Sequence, residues 1–305
     1  MGNVILRMLV IFIIILLGVL VRKARLIPED GDKGLSSLVI YIGNPALIFY
    51  SVLSGNLEIT KKEALFYVMI SFVFYAVLIL VGKAMSYFSL LKTIPRKHIE
   101  AMLVFTNMGF IGLPVIQSIY GDGAIFYIAI MGIPFNILVY SYGVYLLGKE
   151  SSRLPLKNML NPSIITAVVV LFLFFLDIPI LGFFMDLTDM VGGITVPLAL
   201  IIVGYNLARE SILDILRDKV VYLFLLLKLV LYPAVIFLLF RPFVKNPVFF
   251  GVMVIVAAMP VGSNVSMINR EYGEEKDSAA IAKCTVLSTV VSAIAIPIWA
   301  AVLLT

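Results

Sequence analysis

Two stretches decide how this chain folds: Phe105-Thr106-Asn107-Met108-Gly109-Phe110-Ile111-Gly112-Leu113-Pro114 and Ala257-Ala258-Met259-Pro260-Val261-Gly262-Ser263-Asn264-Val265-Ser266. Each sets small, polar and helix-breaking residues in the middle of an apolar run of about 20 residues, the length a helix needs to cross hydrocarbon. An interior proline removes a helix hydrogen bond and frees a carbonyl, which lipid tolerates only where protein or water satisfies it. Gly and Pro are frequent in membrane helices in any case, and Ser, Thr and Asn often only hold helices together. Interruptions at corresponding positions of two halves, however, are the sequence pointer to a binding site at the membrane midplane.

The composition around these stretches makes lipid the solvent. Of 305 residues, 62% are hydrophobic and 13% charged, with a mean hydropathy of +1.11, whereas soluble domains run at about 45–50% apolar and 25% charged. This excludes a soluble enzyme, a secreted disulfide scaffold, a DNA-binding domain and a disordered chain. One cysteine, Cys284, and one histidine, His98, leave no disulfide and no zinc cluster. No Walker glycine loop is present to bind ATP, so neither a metal nor a cofactor is expected. The net charge of +5 is spread between apolar runs, which speaks against nucleic acid.

Ten windows are long and apolar enough to span: 4–22, 34–54, 64–88, 99–119, 123–148, 159–177, 190–207, 219–240, 247–269 and 278–303. Spanning segments must satisfy their own backbone, so these read as helices. Loops after the odd-numbered windows hold fifteen Lys and Arg and the opposite side five, which by the positive-inside rule puts both termini on the non-cytoplasmic side. Val21-Arg22-Lys23-Ala24-Arg25 reads as a cytoplasmic stop flank, so the first span is expected to be retained rather than cleaved. Five windows fall in 1–150 and five in 151–305. An odd number per half inverts the second half relative to the first. Pro45 and Pro197 are 152 residues apart, and Tyr120-Gly121-Asp122 matches Tyr272-Gly273-Glu274 at the same offset. The expected fold is therefore an all-α membrane protein of ten transmembrane helices in two inverted five-helix repeats, with broken helices 4 and 9 crossing.

Ile42-Gly43-Asn44-Pro45-Ala46-Leu47-Ile48-Phe49, Thr106-Asn107 with Ile111-Gly112-Leu113-Pro114, and Ala257-Ala258-Met259-Pro260 with Glu271-Tyr272-Gly273 resemble the auxin efflux carrier family, which includes the plant PIN auxin exporters and many prokaryotic relatives. The resemblance runs over essentially the whole chain. It implies a fold similar to bile-acid and sodium/proton transporters, with helices 1, 2, 6 and 7 as a scaffold that includes Asn44, Pro45 and Pro197. Helices 3–5 and 8–10 would form a transport domain that moves in an elevator-like way. Dimers are common in the family. By the same resemblance Asn107 matches an asparagine that contacts the substrate carboxylate, and Pro260 the crossover proline of helix 9. Thr106 stands where plant members carry a proline, which leaves Gly109, Gly112 and Pro114 to supply the break in helix 4. Tyr140 matches a binding-site tyrosine, Asn136 lies near a polar family position one turn earlier, and Asn264 replaces an apolar residue.

Three lysines fall within spans. Lys83 and Lys283 lie near enough to the ends to snorkel, whereas Lys228, deeper, has an anion-assisting reading beside the structural one. No Asp or Glu sits at the centre of a span, as intramembrane proton coupling commonly needs. The expected function is a secondary transporter of small organic anions (carboxylates, auxin-like or malonate/malate-like) in the plasma membrane. The expected substrate contacts are Thr106, Asn107, Asn136, Tyr140, Pro260, Ser263 and Asn264, with Gly262 helping to break helix 9. The rival readings are an intramembrane enzyme, for which no nucleophile–base pair is evident, and a membrane-embedded sensor without vectorial transport.

Overall fold

A computed structural model describes residues 2–28, 31–54, 59–89, 91, 93–149, 161–209 and 218–304. The boundary between the expected halves lies outside the described residues, as do Lys92, Arg153, Lys157 and Arg217. Among the described residues all regular structure is helical. The helices are α1 Gly2–Lys23, α2 Gly31–Leu53, α3 Lys61–Phe88, α4 Arg96–Val104, α5 Met108–Tyr120, α6 Ala124–Leu147, α7 Pro162–Phe175, α8 Gly182–Leu207, α9 Val220–Phe240, α10 Pro247–Ala258, α11 Ser263–Tyr272 and α12 Glu275–Leu304. Among the described residues six helical segments are long and apolar enough to cross a membrane, and α5, α7 and α10 are shorter apolar helices. The protein is a multi-pass membrane protein.

Local chemistry explains where these helices start and bend. At α3 the Glu63 carboxylate accepts from the Thr60 N–H at 2.8 Å while the Thr60 hydroxyl accepts from the Glu63 N–H at 3.3 Å. These bonds satisfy donors that a helix start leaves unpaired. Pro45, Pro114 and Pro233 each follow a five-residue π turn, Val39–Gly43, Met108–Gly112 and Leu227–Leu231. The wider turn absorbs the missing N–H and the ring clash without breaking the helix. Gly109, Gly112 and Pro114 thus lie inside one continuous segment, α5, and the interruption of this span is upstream of them. α8 also differs from expectation. It starts at Gly182, where the window placed a loop up to residue 189, because Gly182–Gly193 contains no proline to stop it.

In lipid, apolar burial cannot drive helices together, so close packing has to. On α1 the residues Leu9, Val10, Ile13, Leu16, Leu17 and Leu20 are exposed, the side expected toward lipid. The opposite side presents Gly18 to Gly204 of α8. A Cβ on Gly18 would lie 2.1 Å from the Ile201 carbonyl oxygen and one on Gly204 would lie 1.8 Å from that of Ile15, so only glycine permits this approach. α2 and α7 pack with α8 and α2 respectively to complete a first bundle. Its α1, α2 and α8 are tied by Arg209 Nη2 donating to Asp32 Oδ1 at 2.6 Å and by the Arg22 guanidinium 4.9 Å from the Tyr205 ring. The second bundle holds α3 to α6 and α9 to α12, cross-linked by Tyr232 Oη donating to the Leu78 carbonyl at 2.8 Å and Trp299 Nε1 to the Leu229 carbonyl at 2.9 Å.

Candidate functional site

The second bundle is organised around two breaks that meet. α4 stops at Val104 and α5 begins at Met108; α10 stops at Ala258 and α11 begins at Ser263. Between them Thr106 and Val261 face each other as a single antiparallel bridge. The Asn107 N–H donates to the Pro260 carbonyl and the Gly262 N–H to the Phe105 carbonyl, both at 2.9 Å, while the Val261 N–H donates to Ser288 Oγ at 3.1 Å. Span 4 therefore breaks at Thr106 without a proline there, because its freed backbone groups find partners on the other broken helix. A Cβ on Gly262 would come within 2.6 Å of the Thr106 carbonyl oxygen, so the crossing requires glycine at that position.

The two faces of the crossing are electrostatically opposite. On one face the α4 and α10 C-termini converge on Lys228 of α9, fully buried, whose Nζ donates to the Leu103 carbonyl at 2.7 Å and to the Ala257 carbonyl at 3.3 Å. Each helix C-terminus carries about half a negative charge, and the Lys228 amino group gives both a hydrogen-bond donor. On the other face the α5 and α11 N-termini, each about half positive, open onto a cavity of about 520 Å³. Their combined charge is that of one cation. Among the described residues, none that lines this cavity is charged. Lys228 is not part of its wall; its amino group is turned to the Leu103 and Ala257 carbonyls on the opposite face.

Of the residues singled out in the sequence, Thr106, Asn107, Gly109, Asn136, Tyr140, Ser263 and Asn264 line this cavity, and so does Asn44 from α2. Pro260 lies at the crossing behind it, and Pro45, Gly112, Pro114, Pro197 and Gly262 are not part of its wall. Asn264 Oδ1 accepts from the Val265 N–H at 3.0 Å, which leaves its amide N–H groups for the cavity. Asn136 does the reverse. Its Nδ2 donates to the Gly132 carbonyl at 2.8 Å, so it presents an oxygen. Outside the cavity, Lys283 is paired with Asp218 at 3.3 Å and Lys83 is exposed. Sequence reasoning missed Tyr41, Asn161 and Ser163, which also line the wall. Asn161-Pro162 carries a helix-start signal, a capping residue followed by proline, but the signal says nothing about what that start faces.

Comparison with known proteins follows the same lines. A family model described as membrane transport protein matches residues 3–155 and 151–300. The chain belongs to the membrane transport protein family. The auxin efflux carriers that the motifs resemble fall within this family. An uncharacterized transporter of Methanocaldococcus jannaschii is 23% identical over 315 residues, covering 97% of each chain. An uncharacterized transporter of Escherichia coli K12 is 27% identical over 168 residues, 52% of each chain, as is its counterpart in Shigella flexneri. The family and these relatives are transporters rather than enzymes.

Proposed function

We propose that the protein is a secondary transporter of small organic anions, carboxylates of the auxin-like or malonate- and malate-like kind, that works by elevator-type alternating access. One observation carries the reading: two helix N-termini open onto a cavity that no carboxylate lines among the described residues, while the amino group of Lys228 meets carbonyls at the matching C-termini on the far side. Such an arrangement favours an anion, and the amides of Asn107 and Asn264 with the hydroxyls of Thr106 and Ser263 would orient it. Tyr140 supplies a ring and a phenol at the same wall.

The wider architecture supports movement. In this reading ten spans form two inverted halves, 1–150 and 151–305, and α5 and α11 each end on the Tyr-Gly pair that repeats between them. The first bundle is the scaffold and the second the moving domain, in a plasma-membrane protein with both termini outside and, as in the resembling family, a homodimer. With that orientation the lining stretches 136–140, 161–164 and 263–267 lie on the cytoplasmic side of the crossing. On the outer side the Lys61–Asp177 ion pair and the Arg7 guanidinium, donating to the Ser118 carbonyl at 2.8 Å, tie one bundle to the other. In this reading the cavity opens to the cytoplasm, as an inward-open state of the transport cycle would.

The test is carboxylate flux in proteoliposomes. Asn107→Ala is expected to reduce flux of the transported acid at least about tenfold, the value of one hydrogen bond to a charged group, with thermal stability unchanged. Wild-type flux in this variant refutes the site.

A further inference from the structure

The cavity has a second polar wall, facing the crossing. It is made by the start of α7, where Asn161, Pro162, Ser163 and Ile164 all line it. Asn161 is the N-cap of this 14-residue helix: its Oδ1 accepts from the Ile164 N–H at 3.0 Å, and Pro162 occupies the first turn. That bond fixes which way the amide faces, so Nδ2 points away from its own helix. It donates to Asn136 Oδ1 at 2.7 Å. Asn136 is fixed in turn by its own bond to the Gly132 carbonyl. Flipping either amide would break a bond to its own helix, so Asn161 shows a set donor and Asn136 a set acceptor.

This contact joins the two bundles directly, because α7 belongs to the first and α6 to the second. It also brings a third half-positive helix end to the cavity. Two polar groups of the lining residues, Thr106 Oγ1 on the crossing and Asn44 Oδ1 on α2, are buried and left without a hydrogen-bond partner among the described residues.

We propose that Asn161 is a substrate-binding residue of the first bundle, whose side-chain N–H passes from Asn136 to a carboxylate oxygen of the transported anion. The inference rests on the anion reading above. A carboxylate is a stronger acceptor than a neutral amide oxygen, so the exchange is favourable once the anion is seated. The anion is then held jointly by the crossing and by the α7 N-terminus. Loading it also releases the direct Asn136–Asn161 tie between the bundles, which links occupancy to their relative movement.

The experiment compares wild type, Asn161→Asp and Asn136→Leu in proteoliposomes with labelled malonate, malate and indole-3-acetate, each variant's melting temperature being measured alongside. Aspartate caps a helix as well as asparagine does, so Asn161→Asp keeps the α7 start while losing the donor and adding a repelling charge. Its KM is expected to rise about 10- to 100-fold, the worth of a hydrogen bond to a charged group. Asn136→Leu removes the competing acceptor but keeps the Asn161 donor, so its KM is expected to rise clearly less than that of the Asn161 variant. If the aspartate variant does not fold, Asn161→Ser, a cap too short to reach across, takes its place with the same expected rise. A wild-type KM in the Asn161 variant, or an equal rise in both variants, overturns the inference and makes the pair a structural tie alone. If wild type carries none of the three acids, the anion reading falls and this inference falls with it.

Discussion

Replacing Lys228 by methionine isolates the electrostatic part of the crossing. Methionine is close in length and apolar, so packing is largely kept while the contacts to the Leu103 and Ala257 carbonyls are lost. Lys228 is wholly buried, so water does not replace it readily. A buried polar group left unsatisfied costs about 1–3 kcal/mol, which gives about 2–6 kcal/mol for the two carbonyls. At roughly 2–4 °C per kcal/mol for a large domain, the detergent-solubilised variant should melt on the order of 10 °C below wild type. Lys83→Met is the matched control, since Lys83 is exposed, and should leave the melting temperature where it is. The assay is a thermal-shift measurement on both variants with and without malonate. Ligand that binds only the folded form raises the wild-type midpoint, and this increment should shrink in Lys228→Met because the crossing that presents Asn107 is loosened. A Lys228→Met protein that melts within about 2 °C of wild type, a change below ~1 kcal/mol, refutes the reasoning that one amino group holds the two C-termini.

Two further substitutions probe the geometry. Thr106→Pro should be tolerated: the bonds that secure the break use the N–H groups of Asn107 and Gly262, and the preceding Phe105 is already extended at φ −93° and ψ 98°. Its melting temperature should stay within about 4 °C of wild type, the size of a ~1 kcal/mol effect, and loss of folded protein in size-exclusion chromatography would show that this position needs its N–H. Gly204→Ala, by contrast, places a methyl 1.8 Å from the Ile15 carbonyl oxygen, and backbone must move to admit it. Overpacking of this kind costs about 1–3 kcal/mol or more, so the variant should melt several degrees lower, whereas Gly109→Ala, with nothing within 4 Å of the added carbon, should not. Equal melting of the two alanine variants contradicts the close α1–α8 packing.

Much of the architecture was legible in the chain because lipid imposes its rules on composition and length. Long apolar runs and the polar interruptions at 105–114 and 257–266 follow from residue type and spacing, and the family resemblance pointed to Asn107, Asn136 and Tyr140, which share the cavity wall with Ser263 and Asn264. The start of α8 at Gly182 was not legible, since hydropathy detects what lipid would accept and not where a helix ends. Pro114 misled for a related reason: a proline announces a missing hydrogen bond, yet a π turn can absorb it within a continuous helix.

By itself the sequence determined that lipid is the solvent, which spans carry breaks, and that no carboxylate sits at their centres, because these depend on local composition. Only the tertiary structure decided that helix 4 breaks at Thr106, that Lys228 reaches helix C-termini rather than the cavity, and that Asn44 and Asn161 join the cavity from the other bundle. Each of these depends on residues at least 25 positions away in the chain, and no local pattern encodes which group a distant side chain will reach.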